Sequence, residues 1–204
     1  ELKTVVFGYA CHSTVLSFTK WSGDYPGFAQ MDLENRYPGV DAMFWAGCGA
    51  DQNPLPRRTV ELAQHYGERV AQSVDSVLRG TMSPVEGELV THYHEIAGKT
   101  QTPISRDELN QLLAEGNQYE QAYAQFVLKK LGEQEKLPAF YPYPIQTWHM
   151  GDIRMVFLGG EVVVDYAVKL KLLASGAKNT NVWVAGYSND VMAYIPSTRV
   201  LREG

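Results

Sequence analysis

Apolar and polar positions along this chain switch between two periods, and the switches mark its elements. Residues 2–10 (LKTVVFGYA) and 40–47 (VDAMFWAG) are short apolar runs rich in β-branched and aromatic residues, the pattern of buried strands. Between them, residues 26–35 (PGFAQMDLEN) predict a helix with Pro26 near its start. Strand, crossover and strand make a βαβ unit, which implies parallel pairing. From Thr59 to Leu78 the period changes. Leu62, Tyr66, Val70, Val74 and Leu78 recur every four residues and form one apolar stripe on a helix that Gly80 ends.

Residues 86–96 (EGELVTHYHEI) predict a further strand. Ser105-Arg106-Asp107-Glu108 fits a capping box and opens a polar helical stretch to about Leu131. The segment LPAFYPYP predicts a rigid aromatic loop. Residues 145–149 and 153–158 predict a β-hairpin turned by Met150-Gly151-Asp152. A helix follows from about Val163, and residues 181–186 (NVWVAG) predict a last strand. There is no internal repeat and no low-complexity segment. The expected fold class is α/β: a mixed, largely parallel sheet flanked by helices.

Four of the predicted strands run out into unusual chemistry. The segments are Cys11-His12, Gly47-Cys48-Gly49-Ala50-Asp51, Gly159-Gly160-Glu161 and Tyr187-Ser188-Asn189-Asp190. Ligands of open α/β sheets bind outside the carboxyl ends of the strands. If the strands are parallel neighbours, the four segments converge on one pocket, where an active site is expected.

Composition narrows the partners. The net charge is −5, and Lys and Arg are dispersed, so no nucleic-acid footprint is seen. No apolar run is long enough to span a bilayer, and no signal-peptide pattern opens the chain. The first residues lie almost inside a strand, and Leu201-Arg202-Glu203-Gly204 closes no element. The expectation is therefore that residues 1–204 are part of one catalytic domain, cut at both ends.

The candidate residues each admit more than one reading. His12 is a zinc ligand at a strand terminus, half of a Cys–His pair, or a core histidine bonded to a backbone carbonyl. Neighbours on a strand face opposite ways, so Cys11 does not easily pair with His12, whereas Cys48 can. Cys11 and Cys48 read as free buried thiols, with a disulfide as the alternative. Glu161 follows a fully apolar run and needs a partner there: a metal, an Arg or a helix N-terminus. His92 and His94 share one strand face, yet Glu86, Glu88 and Glu95 around them favour a solvated edge. His65 and His149 read as lone surface or packing histidines. GCGADQNP has the glycines of a tight loop that can line a pocket with N–H groups. It is not a P-loop, because no GK[ST] follows, and no G-x-S-x-G elbow occurs.

Taken in order, YACHST (9–14), SGDYPGFA (22–29), AGCGADQNP (46–54), HMGDIRMVFLGGE (149–161) and AGYSNDVMAYIPS (185–197) resemble the catalytic domain of the neutral/alkaline non-lysosomal ceramidase family. The resemblance spans nearly the whole chain. It implies a Zn2+ ion held by two His, a Glu and a Tyr. His12 would be the second His, with the first upstream of Glu1, and Glu161 the carboxylate. Tyr194 would be the tyrosine, matching the second Tyr of the family's N-x-Y-x-x-Y segment, which runs here from Asn189 to Tyr194. One position departs from the pattern. The family's Gly-Asp-x-Ser-Pro-Asn loop carries a serine required for amide hydrolysis, and alignment on Asp51 and Pro54 puts Asn53 in its place. Asn is no nucleophile of that kind, but it can donate a hydrogen bond to a substrate carbonyl or oxyanion.

The resemblance thus implies a zinc-dependent hydrolase of lipid metabolism. It would cleave an amide, ceramide-like N-acyl, or an ester bond through a metal-activated water. The metal set would be His12, Glu161 and Tyr194. The catalytic set would be Asp51 and Asn53 on the substrate side, with Tyr194 also steadying an oxyanion. The implied substrate is a small or lipid-like molecule, and the implied location secreted or periplasmic. The alternatives are a non-catalytic binding module that keeps the fold, and a Cys48-dependent hydrolase. Oligomeric state is not legible.

Overall fold

A computed structural model describes residues 1–100, 104–132, 138–174 and 181–203. The chain divides into two compact units, residues 1–94 with 144–204, and residues 95–143.

The first unit opens with β1 (Thr4–Tyr9), α1 (Asp24–Arg36) and β2 (Asp41–Ala46). β1 and β2 pair in parallel, with Val5 opposite Ala42 and Phe7 opposite Phe44, so the expected βαβ unit forms. Val5, Phe7 and Ala42 are buried with Ala29 and Leu33 of α1. Removing such side chains from water is the main favourable contribution to folding.

α2 (Val60–Leu78) starts where Thr59 accepts the Leu62 N–H through its hydroxyl at 3.2 Å. Its buried residues are Ala63, Gly67, Ala71 and Asp75, one position along from the predicted stripe. The reason is close approach to α1. A Cβ on Gly67 would lie 2.6 Å from Phe28 Cβ and 2.8 Å from Tyr25 O, so only small residues fit the seam. Leu62, Tyr66, Val70, Val74 and Leu78 flank it, partly buried against the same core.

A second sheet has the order β3-β4-β5-β7, from β3 (Val90–Lys99), β4 (Phe140–Met150), β5 (Ile153–Leu158) and β7 (Asn181–Ala185). β4 and β5 form the expected antiparallel hairpin, Ile145 opposite Leu158 and Met150 opposite Ile153. β5 pairs in parallel with β7. β4 begins at Phe140, inside the predicted loop. Pro142 and Pro144 stand at alternate positions, which leaves the intervening N–H groups free to pair. β3 is the exposed edge, where His92 and His94 stack with ring centroids 6.4 Å apart. That is the solvated face expected of them.

Two short strands complete the first unit. β6 (Glu161–Val162) pairs in parallel with β8 (Tyr194–Ile195), and α5 (Val164–Ala174) and α6 (Thr198–Glu203) follow them. An isolated bridge joins Gly47, at the end of β2, to Ala185, at the end of β7. The pairing is thus largely parallel, in the α/β class. Among the described residues no helix is long and apolar enough to cross a membrane.

In the second unit, the polar stretch expected as one helix is two, α3 (Arg106–Glu115) and α4 (Gln118–Leu131). Ser105 with Glu108 makes the predicted capping box, and Asn117 with Glu120 makes a second one that starts α4. Leu109, Ala124, Val127 and Leu131 form its core.

Candidate active site

His12 leaves β1 on a loop that is tied down on both sides. Its own N–H donates to Gln52 O at 2.9 Å. Asp24, buried and left-handed at φ 52, accepts the N–H groups of Val15, Leu16 and Tyr25 at 3.3, 2.8 and 2.7 Å. A buried carboxylate needs such partners, and here they fix the chain beyond His12. The Tyr25 hydroxyl donates to Cys11 O at 2.8 Å. The SGDYPGFA motif therefore acts on His12 through the backbone.

Gly49 lets the β2 loop pass close behind. A Cβ there would lie 2.7 Å from Cys11 N. The approach brings Ala50 O to 2.9 Å from His12 Nε2, while the Ala50 N–H donates to Val162 O of β6 at 3.2 Å. A carbonyl only accepts, so Nε2 carries the proton. The same nitrogen is 4.0 Å from Glu161 Oε2.

Glu161 stands opposite Tyr194 in the β6–β8 pair, and its N–H donates to Ala193 O at 2.8 Å. The interaction with the Glu161 carboxylate, with a smaller effect of burial, raises the Tyr194 pKa above the usual phenol value. The His12 ring lies 6.5 Å from the Tyr194 ring and 6.3 Å from the Tyr187 ring, edge-on to both. The three expected metal ligands thus come together at the ends of β1, β5 and β7, through the short strands β6 and β8.

The donor set suits zinc in kind: an imidazole, a carboxylate and a phenol are three N and O donors. His12 Nε2 and Glu161 Oε2, 4.0 Å apart, would be two of the donors. One bond must change, because Nε2 is engaged with Ala50 O. Among the described residues no group of three or more His, Cys, Asp and Glu side chains is placed to hold a metal ion. The third donor here is a tyrosine.

Asp51 and Asn53 are engaged elsewhere. Asp51 Oδ1 accepts the Val164 N–H at 2.9 Å at the start of α5, and its Oδ2 is 3.8 Å from Arg199. Arg199 also grips both oxygens of Asp165, at 2.9 and 3.0 Å. Asn53 Oδ1 accepts from Thr14 Oγ1 and Arg57 Nη1, both at 3.4 Å, on the exposed side of the loop. Both cysteines are free. Burial pushes the Cys48 thiol up to about 11, only partly offset by Lys171. Cys11 is half-buried rather than buried. Tyr187 belongs to this cluster too, and its one sequence signal is its place between Gly186 and Ser188-Asn189 at the end of a strand.

Fold and site together define an α/β protein with a polar cluster at the carboxyl ends of its strands. Among solved structures it is similar to the neutral ceramidase from Pseudomonas aeruginosa, with a TM-score of 0.66 and 19% identity over 97% of this chain and 39% of that one. It is also similar to a ceramidase complexed with C2, with a TM-score of 0.68 and 17% identity over 96% of this chain and 40% of that one. The chain spans about two-fifths of the length of both, and at this identity the likeness shows the fold. No protein-family model and no curated protein matches the sequence.

Proposed function

We propose that this chain carries active-site residues of a zinc-dependent hydrolase that cleaves an amide bond, ceramide-like N-acyl, or an ester bond in a lipid-like substrate. The observation that carries the reading is the meeting of His12, Glu161 and Tyr194 within one cluster of a ceramidase-like fold. Those three residues would hold the metal, which when bound supplies Lewis acidity at the scissile carbonyl. Tyr194, opposite Glu161 in the β6–β8 pair, would also steady an oxygen that gains charge. Asn53 accepts through Oδ1, so its Nδ2 hydrogens remain as donors toward an acyl oxygen. Asp51 supports the site by capping the helix that follows Glu161. The buried, high-pKa Cys48 thiol weighs against the cysteine hydrolase.

The test joins metal analysis of the purified protein to turnover of a fluorogenic N-acyl amide. Stoichiometric zinc, with His12→Ala losing both metal and turnover, is the expected result. A metal-free protein that binds the amide without cleaving it overturns the hydrolase in favour of the binding module.

A further inference from the structure

The hydroxyl of Tyr187 is buried and has no hydrogen-bond partner. Such a donor is costly to leave unmatched, and each one in a folded protein calls for an explanation. The other such side-chain atom among the described residues, Trp148 Nε1, belongs to a ring packed 4.7 Å from that of Phe157 in the β4–β5 hairpin. Tyr187 differs in its surroundings. Its ring meets His12 edge-on at 6.3 Å.

The backbone is held as firmly as the side chain. Tyr187 has φ +55, the left-handed region, which is unfavourable for an aromatic residue. Its N–H donates to Gly160 O at 2.9 Å, and the next N–H, of Ser188, donates to Leu158 O at 3.1 Å. The strand end that presents Glu161 thus clamps Tyr187 in a strained conformation with an unmatched donor. Strain and unsatisfied polarity held together by the surrounding structure are typical of binding sites.

A phenol O–H donates, so the missing partner is an acceptor, and the His12 ring edge-on at 6.3 Å marks the side from which it would come. A carbonyl oxygen is such an acceptor. We propose that Tyr187 is a ligand-contacting residue whose hydroxyl donates to a neutral carbonyl oxygen, of amide or ester type, entering beside His12 and Glu161. The choice of ligand class rests on the hydrolase reading above. Because the hydroxyl oxygen is closed to solvent, the side chains over it part as the carbonyl enters. The bond then forms with little competition from water.

Tyr187→Phe deletes one oxygen and keeps the ring. The variant is expected to stay folded and to melt about 2–4 °C above the parent, since it no longer buries an unmatched hydroxyl. In calorimetric titrations, hexanamide should bind the parent at least about tenfold more tightly than the variant, the scale of one hydrogen bond. Equal hexanamide affinities overturn the inference, as does a parent that binds no hexanamide. A variant that melts below the parent also overturns it, since the hydroxyl would then be bonded in the free protein. Tyr187-dependent hexanamide binding without turnover of N-acyl amides supports this inference while the hydrolase reading fails. Turnover with equal hexanamide affinities does the reverse.

Discussion

Replacing Gly160 by Ala adds a methyl group where the backbone leaves no room for it. Gly160 has φ +75, and a Cβ there would lie 2.7 Å from Ala193 O and 2.7 Å from Ile195 Cγ1. Two terms add. An L-residue in the left-handed region costs about 1–2 kcal/mol. The Ile195 side chain can rotate away, but Ala193 O cannot move freely, because it accepts the Glu161 N–H at 2.8 Å. Relieving that contact by a backbone shift costs about 1–3 kcal/mol more. A central value of about 3.5 kcal/mol lowers the melting temperature by about 7–14 °C in a chain of this size. Gly39 is the control. It too is left-handed, at φ +86, but nothing lies within 4 Å of an added Cβ. Gly39→Ala therefore carries the conformational term alone, about 1–2 kcal/mol. Scanning calorimetry on the parent and both variants isolates the contact term. Equal losses in the two variants would refute the claim that the β6–β8 contact is what requires glycine at 160.

Three further outcomes follow from the same geometry. The Asp75 carboxyl accepts the Tyr37 hydroxyl at 2.6 Å and pairs with Arg79 at 3.1 Å, which holds its pKa below the usual value, Tyr37 acting most strongly. Its contribution is therefore present above the unfolded-state pKa of about 4 and lost as pH falls through the folded value, so Asp75→Asn should flatten the acid limb of a melting-temperature profile. Burial and then Asp24 raise the half-buried Cys11 thiol too, so iodoacetamide at pH 7.5 should label Cys11 slowly in the native protein and Cys48 only after unfolding, and Cys48→Ser should keep turnover; peptide mass spectrometry reads the first, and rapid Cys48 labelling with loss of turnover would restore the thiol mechanism. Asp51→Ala removes the acceptor of the Val164 N–H at the start of α5, and should cost about 1 kcal/mol, read as a melting temperature about 2–4 °C lower.

Elements that carry their own periodicity were legible from the chain. β1, β2, β5 and β7 are continuous apolar runs, and the β4–β5 hairpin turns where Gly151 stands at φ +57. Elsewhere context decides. The large residues of α2 flank its contact with α1, because Gly67 and its small neighbours let the helices touch backbone to side chain. The break between α3 and α4 was missed although Asn117 and Glu120 are a capping box, since a polar stretch lacks a stripe to show where one helix stops. The start of β4 was hidden by Pro142 and Pro144, residues that ordinarily argue against a strand.

The candidate site divides the same way. His12 and Glu161 stood out locally, one after a strand and one after Gly159-Gly160. Their meeting rests on pairings of only two residues in β6 and β8, too short for any periodic signal. Asp51 adds a link of the same kind. Its carboxylate accepts the Val164 N–H, a partner remote in sequence that its motif does not reveal. Tyr187 had no signal of type, because a tyrosine after an apolar strand is ordinary packing material. Only its left-handed backbone and its unmatched hydroxyl, both consequences of how Gly160 and Leu158 hold that strand end, set it apart. Residue identity can propose who takes part in such a site. Whether a given side chain faces a ligand or a neighbouring N–H is decided by contacts between distant segments, which no local spacing encodes.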